Sequence, residues 1–207
     1  KVVAKSVSIP EGYFITWTGQ YEYLERVQKK MRVVLPVTLL LIFGLLYMSL
    51  KSAGKSLLVM AAVPLSLTGG IILMWALGYN TSVAVWAGVI ALIGVAVETA
   101  SIMVIFLDEA WKKARQDSHL TTPDDYHQAT LAGAQKCLRP TLMAVTMNIF
   151  GLIPVMIASG IGADVVKRIS SPMLGGLVSL TVLTLVVIPL VYHGWSQRQM
   201  ISIRDKK

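Results

Sequence analysis

Charged residues are scarce in this sequence of 207 residues, at 14% against about 25% in an ordinary soluble domain. Hydrophobic residues make up 55%, and the mean hydropathy of +0.64 is too high for a soluble fold of this size. The net charge of +8 comes mostly from clusters that lie between long uncharged runs. This distribution is typical of a membrane protein, and it argues against a nucleic-acid-binding module.

Cysteine is almost absent as well, since Cys137 is the only one. A single cysteine excludes an internal disulfide and a metal site built from several cysteines. The sequence also lacks a nucleophile–base pair, a phosphate-binding loop and a metal-ligand spacing, so we expect neither an enzyme nor a bound cofactor. It begins without an initiator Met or a signal peptide, and we therefore expect a piece of a longer protein.

Long apolar runs are what the sequence has in abundance. A helix that crosses a bilayer needs roughly 20 mainly apolar residues. The runs that meet this requirement are 33–50, 56–78, 81–107, 138–158 and 172–195. A buried helix of a soluble core could explain one such run, but not all of them. We predict an all-α membrane protein with a bundle of five transmembrane helices over residues 32–197, in which the short connections 51–55 and 79–80 force neighbouring helices to run antiparallel.

The segments between and around these spans are more polar. The residue pattern over 1–31 predicts a turn at Pro10, a short strand over 13–18, and then a helix from Gln20 that leads into the first span. A strand without partners is unstable, so we expect this segment to be the tail of another domain. Residues 198–207 form a basic tail.

The longest connection, residues 108–137, contains a helix start at Thr122 and Pro123. We predict an amphipathic helix that lies along the membrane surface and ends near Cys137, with one face formed by Tyr126, Ala129, Gly133 and Cys137. The neighbouring His119, Asp124, Asp125 and His127 could be read as a metal cluster. Capping acids beside surface histidines explain them better, because acids in a first helical turn already have a structural role.

Basic residues indicate the orientation of the bundle. With the N-terminus outside, eleven Lys and Arg residues lie on the inner side, and only Lys167 and Arg168 lie in the short outer turns. Six more in residues 1–32 argue the other way, but a segment attached to a large upstream domain is translocated regardless of its charge. We expect the aromatic residues near the span ends to lie at the membrane–water interfaces: Trp75, Tyr79, Trp111, Tyr192 and Trp195.

Glu98 is the one ionisable residue deep inside a predicted span. A charge at such a position costs about 2.5 kcal/mol or more and indicates a functional site. On a helical wheel it shares a face with small or polar residues: Ala84, Ala87, Gly88, Ala91, Gly94 and Ser101. The opposite face is bulky and suits lipid or bulky packing, so we predict that Glu98 points into a helix bundle.

Partial removal from water at this depth favours the neutral form of the Glu98 carboxyl, unless a nearby cation offsets the effect. A carboxyl that can become neutral is what proton handling requires. Thr141 and Asn148, seven residues apart on one face of the fourth span, are possible polar partners, as is Ser101. The alternative is a protonated Glu98 that hydrogen-bonds a neighbouring helix and serves only packing. Methionines in the spans could bind soft Cu(I) or Ag(I), but they also fill membrane bundles, and packing is the simpler interpretation.

Several strings resemble one transporter family. IPEGYFITWTGQYEYLERVQKKMRVVLPVTLLLIFGLLYMSLKS (9–52) is similar to the entry to the eighth transmembrane helix of heavy-metal efflux permeases of the resistance-nodulation-division family. GYNTSVAVWAGVIALIGVAVET (78–99) resembles their tenth helix, and LRPTLMAVT (138–146) the start of their eleventh. GADVVKRISSPMLGGLVS (162–179) resembles the turn before their last helix and that helix itself. The chain would then correspond to helices eight to twelve.

The resemblance implies a proton-driven homotrimeric pump in the bacterial inner membrane that works with a periplasmic adaptor and an outer-membrane channel. Residues 1–31 would be the tail of its periplasmic domain, and residues 108–137 would be cytoplasmic. Glu98 matches the proton-relay acid of the tenth helix. Thr141 stands where copper/silver pumps place a relay Lys, and Val166 where they often carry a Met. The remaining relay and metal-binding residues would lie outside this chain, so we expect the chain alone to be inactive.

The acid at position 98 favours the copper/silver branch of this family. Two alternatives stay open. One is a multidrug or divalent-cation pump of the same family. The other is a non-transporting membrane module for assembly or sensing, in which Glu98 serves only for packing.

Overall fold

Helices make up every regular element of the computed structural model, which describes residues 20–116 and 123–194. They are α1 (Gln20–Leu50), α2 (Ala53–Ala76), α3 (Val83–Gln116), α4 (Pro123–Ile157) and α5 (Ala163–Val182). After α5 the chain continues through a π-helical turn, Leu183–Val187, into a last helical stretch over 188–194. The described ranges contain no strand. The strand predicted over 13–18 lies outside them.

Five of these helical stretches are long and apolar enough to cross a membrane. The prediction of an all-α membrane protein with five spans is confirmed. The helices extend beyond the apolar runs, because α3 continues to Gln116 and α5 begins at Ala163. Hydropathy marks the part of a helix that suits the bilayer, whereas backbone hydrogen bonding continues into the polar flanks.

The chain divides into two compact units, Lys1–Thr38 and Leu39–Lys207. In the first unit, the described residues all belong to α1, which begins at Gln20 as predicted. Ion pairs of the i,i+4 type, Arg26 with Glu22 and Lys29 with Glu25, lie on its exposed surface. Such pairs stabilise a helix only slightly.

In the second unit, glycines bring α2 and α5 into close contact. A Cβ atom on Gly69 would lie closer than 3.0 Å to the carbonyl oxygen of Gly175, and one on Gly175 would clash equally with Gly69. The Ser179 hydroxyl donates a hydrogen bond to the Ser66 carbonyl at 2.9 Å across the same crossing. Small residues and interhelical hydrogen bonds are the usual means by which helices associate in a bilayer.

The crossing of α3 and α5 follows the same principle. A Cβ atom on Gly88 would lie closer than 3.0 Å to the carbonyl oxygen of Ile169 and 2.8 Å from Pro172 Cγ. Further along, the Leu92 side chain fills the space above Gly176. Helix α5 therefore lies between α2 and α3 and has the most buried surface of the five spans.

Helix α4 begins at Pro123, as predicted, but it does not end near Cys137. It runs without interruption to Ile157, which makes it about 50 Å long. The reason is a buried face that continues past the predicted boundary with one residue every four: Ala129, Gly133, Cys137, Thr141 and Val145. The expected surface helix and the fourth span are therefore parts of one helix.

Candidate functional site

Helix α3 has two faces that differ in what they contact. Its packed face is buried against the other helices of this chain: Val85, Gly88, Leu92, Ile93, Ala96, Ala100, Met103, Val104 and Leu107. Its open face consists of the residues that are exposed along the span: Ala87, Ile90, Ala91, Gly94, Glu98, Ile102 and Ile105.

The helices of this chain pack against the other face, so the prediction that Glu98 points into a helix bundle stays a prediction about helices outside this chain. The bulky face makes the contacts, and the face that carries Glu98 is open. Gly88, predicted on the small face, belongs to the packed face because α5 passes over it. The physical reason is that Leu92 and Met103 bury far more apolar surface than a stripe of Ala and Gly can.

The open face carries three small residues on the N-terminal side of Glu98. A Cβ atom on Gly94 would meet no atom within 4 Å, and Ala91 and Ala87 are exposed about one and two turns before Gly94. The Glu98 side chain is exposed, and no hydrogen bond or ion pair involves it within the described part of the chain. A carboxyl at membrane depth thus stands beside a surface that another helix could approach closely.

The other predicted site residues lie elsewhere. Thr141 is buried on α4, and its hydroxyl lies 3.2 Å from the sulfur of Cys137. Ser101 is half-buried and donates to the carbonyl of Val97 in its own helix at 2.6 Å. Asn148 is exposed, since α4 buries little of its surface beyond Val145. Among the described residues, no hydrogen bond joins any of these side chains to Glu98.

A polar cluster at the other end of α3 was not predicted. The Asp108 carboxylate accepts hydrogen bonds from Lys55 of α2 and from the Tyr192 hydroxyl at 3.1 Å. Lys112, one turn further along α3, lies 3.0 Å from its second oxygen. Lys55 and Asp108 are both largely shielded from solvent, with side chains 18% and 24% exposed, whereas Lys112 is 71% exposed. This carboxylate therefore joins α2, α3 and the last helical stretch.

Aromatic side chains extend the cluster to α4. The indole N–H of Trp111 donates to the Thr130 hydroxyl at 3.0 Å, and Nδ1 of His193 lies 3.3 Å from the same oxygen. Trp111 and Tyr192 meet edge to face at 5.8 Å between ring centroids, and His127 meets His193 similarly at 5.7 Å. Trp111 and Tyr192 are only 4% and 2% exposed, so both rings pack between helices, and their position at the membrane–water interface stays a prediction.

The sequence contained a signal for this cluster. Lys55 and Asp108 lie at the same end of two antiparallel spans joined by a short turn, and they are of opposite charge. Opposite charges at the same end of neighbouring helices are a signal for an ion pair between them. The described residues contain no group of three or more His, Cys, Asp or Glu side chains that could hold a metal ion. His119 and the side chain of Asp124 lie outside the described part.

Five membrane-length helices, of which α2 and α3 each cross α5 at glycines, define a multi-span helical membrane protein. The AcrB/AcrD/AcrF family matches residues 1–195, and the chain belongs to this family.

Among curated relatives, the chain is 36% identical to the cation efflux system protein CusA of Escherichia coli (strain K12), over 97% of this chain and 20% of CusA. It is 37% identical to the cobalt-zinc-cadmium resistance protein CzcA of Cupriavidus metallidurans, over 92% of this chain and 17% of CzcA. A crystal structure of a heavy metal efflux pump matches 92% of this chain with a TM-score of 0.76 and 34% identity, and the match covers 18% of that pump.

The predicted resemblance to heavy-metal efflux permeases is therefore confirmed. The chain spans about a fifth of the length of these relatives. Sequence identity does not separate the CusA-like from the CzcA-like branch, because the two values differ by one percentage point.

Proposed function

We propose that this chain is the C-terminal membrane part of a proton-driven heavy-metal efflux pump, and that Glu98 carries the proton. The observation that supports this most is the open face of α3. It places a carboxyl at membrane depth, without a partner in the described chain, beside the small residues Ala87, Ala91 and Gly94. The similarity to efflux proteins over almost the whole chain supports the same conclusion.

The chemistry follows from the cost of burying a charge. When a further helix of the whole protein covers the open face, Glu98 is removed from water, and its charged form must be paired or neutralised. Binding a proton permits close approach of that helix, and releasing the proton favours separation. Thr141 offers a hydroxyl in place of the Lys expected from the family resemblance, so it cannot hold Glu98 charged. Ser101 and Asn148 are proposed as supporting polar groups.

The surroundings of the pump are part of the proposal. The protein lies in the bacterial inner membrane as a homotrimer, in contact with lipid, a periplasmic adaptor and an outer-membrane channel, and it binds no nucleic acid. The 108–136 connection is cytoplasmic, and the turn around Gly162 is periplasmic. Single-cysteine labelling of Ser118→Cys in a Cys137→Ser background tests this orientation. Reaction with an impermeant reagent from the periplasmic side contradicts it.

For the cargo we propose Cu(I) or Ag(I), on the basis of the acid at position 98. A host that lacks its own pumps and expresses the full-length gene should gain resistance to Cu(I) and Ag(I), but not to Co(II), Zn(II) or Cd(II). Resistance confined to the divalent metals, or to organic drugs, supports the alternative pump of the same family. Resistance to none of them at normal expression supports the non-transporting module.

The proton role is tested with Glu98→Gln, which keeps the shape of the side chain and most of its hydrogen bonding but cannot titrate. This variant should reach the membrane normally and lose metal resistance. Glu109→Gln is the matched control, because Glu109 is exposed on the same helix, three turns from Glu98 and on nearly the same face. It should keep full resistance. Full resistance of Glu98→Gln at equal expression contradicts the proposal.

A further inference from the structure

Helix α5 and its continuation are held firmly at two places. Within α5 itself, Gly175 contacts α2, the Leu92 side chain of α3 lies against Gly176, and Ser179 is hydrogen-bonded to Ser66. In the last stretch, Tyr192 donates to Asp108 of α3, and His193 contacts Thr130 of α4. The two contacts differ in kind, because the first is a close-packed backbone crossing and the second consists of side-chain hydrogen bonds.

Between these places the helix changes its hydrogen-bonding register. The N–H of Ile188 donates to the carbonyl of Leu183, five residues back instead of four. Such π-helical turns are rare, contain one residue more than the α-helix around them, and are frequent at functional positions. Pro189 stands two residues after this turn, and it has no N–H to donate to the preceding turn. The helix is therefore weakest between its two anchored parts.

The Thr184 hydroxyl marks the same turn. Thr184 is completely buried, and its Oγ1 atom has no hydrogen-bond partner among the described residues. Two other threonines in this chain donate to the carbonyl four residues back, Thr181 to Leu177 at 2.7 Å and Thr99 to Val95 at 2.8 Å. An unpaired buried hydroxyl is unfavourable, so the π-helical form is not the only favourable state of this turn.

We propose that Leu183–Val187 is a hinge and that residues 188–194 form a latch with two states. In the latched state, which the structure represents, Tyr192 and His193 are bound to Asp108 and Thr130. In the released state, the hinge adopts α-helical hydrogen bonding, and the residues after it are displaced by one residue position toward the end of the helix. This change rotates the latch by about 100° and moves it by about 1.5 Å, which takes both side chains away from their partners.

Asp108 and Thr130, the partners of the latch, keep other contacts in the released state. Asp108 keeps its ion pairs with Lys55 and Lys112, so its charge is not left unpaired. Trp111 keeps its hydrogen bond to Thr130. In the released state, the Thr184 hydroxyl donates a hydrogen bond to the Leu180 carbonyl, as the Thr181 hydroxyl does to the Leu177 carbonyl. Each state thus has a hydrogen bond that the other lacks, as a two-state switch requires.

This inference is independent of transport, and its test measures distance. Spin labels at Leu190 of the latch and Leu57 of α2 report the movement, since both side chains are exposed, at 67% and 65%. Pulsed electron spin resonance is recorded on the full-length gene product in lipid nanodiscs, with native cysteines replaced by Ser. The unmodified protein should show two distance populations. A single population in that protein contradicts the proposal.

Deletion of Val186 removes the surplus residue from the hinge. Val186 is 52% exposed, so the deletion removes little packing, and the helices on both sides keep their faces. This variant should lose the second distance population, and two populations in it contradict the hinge. Tyr192→Phe removes one latch hydrogen bond without changing the ring, and it should increase the released population. An unchanged ratio in Tyr192→Phe contradicts the latch, whether or not the deletion variant folds.

Discussion

Gly88 and Gly94 lie six residues apart on α3, and they show how differently one helix can use the same residue. Gly88 is buried where the backbone of α5 crosses, and any side chain would collide with the Ile169 carbonyl. Gly94 is exposed, and a side chain there would meet nothing within 4 Å. The first glycine is explained by a partner within the chain. The second has none here, and we propose that it serves a partner in the rest of the protein.

Replacing Gly88 should have the largest effect on the stability of this chain. In Gly88→Ala the new Cβ atom overlaps a backbone carbonyl, which cannot move without separating α3 from α5. We expect the free energy of unfolding to fall by about 1–3 kcal/mol, measured by denaturation of the purified chain in detergent. Gly94→Ala is the matched control in the same helix. Equal losses in the two variants would break the distinction between the faces.

Asp108→Asn should come next. The substitution leaves the Lys55 ammonium, which is largely shielded from solvent, without its carboxylate, and we expect a loss of about 1–3 kcal/mol in the same assay. Lys112→Met is the control, because the exposed Lys112 pair contributes less than about 1 kcal/mol. If Lys112→Met were as harmful as Asp108→Asn, the shielded pair would not be the stabilising contact.

Ser179→Ala tests the packed region with a smaller change. The Ser179 hydroxyl donates to the Ser66 carbonyl at 2.9 Å across the crossing of α2 and α5, and it also lies 3.0 Å from the Gly176 carbonyl of its own helix. We expect its loss to cost about 0.5–1.5 kcal/mol of unfolding free energy. Thr181→Ala is a suitable comparison, since Thr181 donates only to Leu177 within its own helix, and it should cost less. The reverse order would show that the bond between helices contributes nothing.

The smallest effect on stability is expected at Gly94. In the chain alone, Gly94→Ala should be neutral, or stabilising by up to about 1 kcal/mol, because alanine favours the helix and no atom stands in its way. In the full-length protein the same change should reduce metal resistance, because the added methyl group separates α3 from the helix that we propose there. Unimpaired resistance would mean that the open face meets lipid.

Much of the fold was predictable because each span corresponds to a continuous apolar run in the sequence. The five apolar runs predicted the five spans, and Thr122 with Pro123 predicted the start of α4. The predicted end of the surface helix near Cys137 was wrong, because Thr141 and Val145 continue its buried face into the fourth span.

The site was harder to predict, for a physical reason. A helical wheel separates the two faces of α3 but does not say which face meets a helix of the same chain. The Asp108 cluster depends on side chains from four segments that are distant in sequence, and Trp111 and Tyr192 had a sufficient local explanation as interfacial aromatics. The π-helical turn left little record in the sequence beyond Pro189.

The central claim is that the open face of α3 is covered by another helix in the whole protein. Oxygen accessibility of a spin label on Gly94→Cys, in a background without other cysteines, tests it most directly. Val178, which is 53% exposed on α5, serves as the reference position within the same chain. In the chain alone both positions should be equally accessible in lipid. In the full-length protein we predict that accessibility at position 94 falls well below that at position 178, and equal accessibility there would contradict the account.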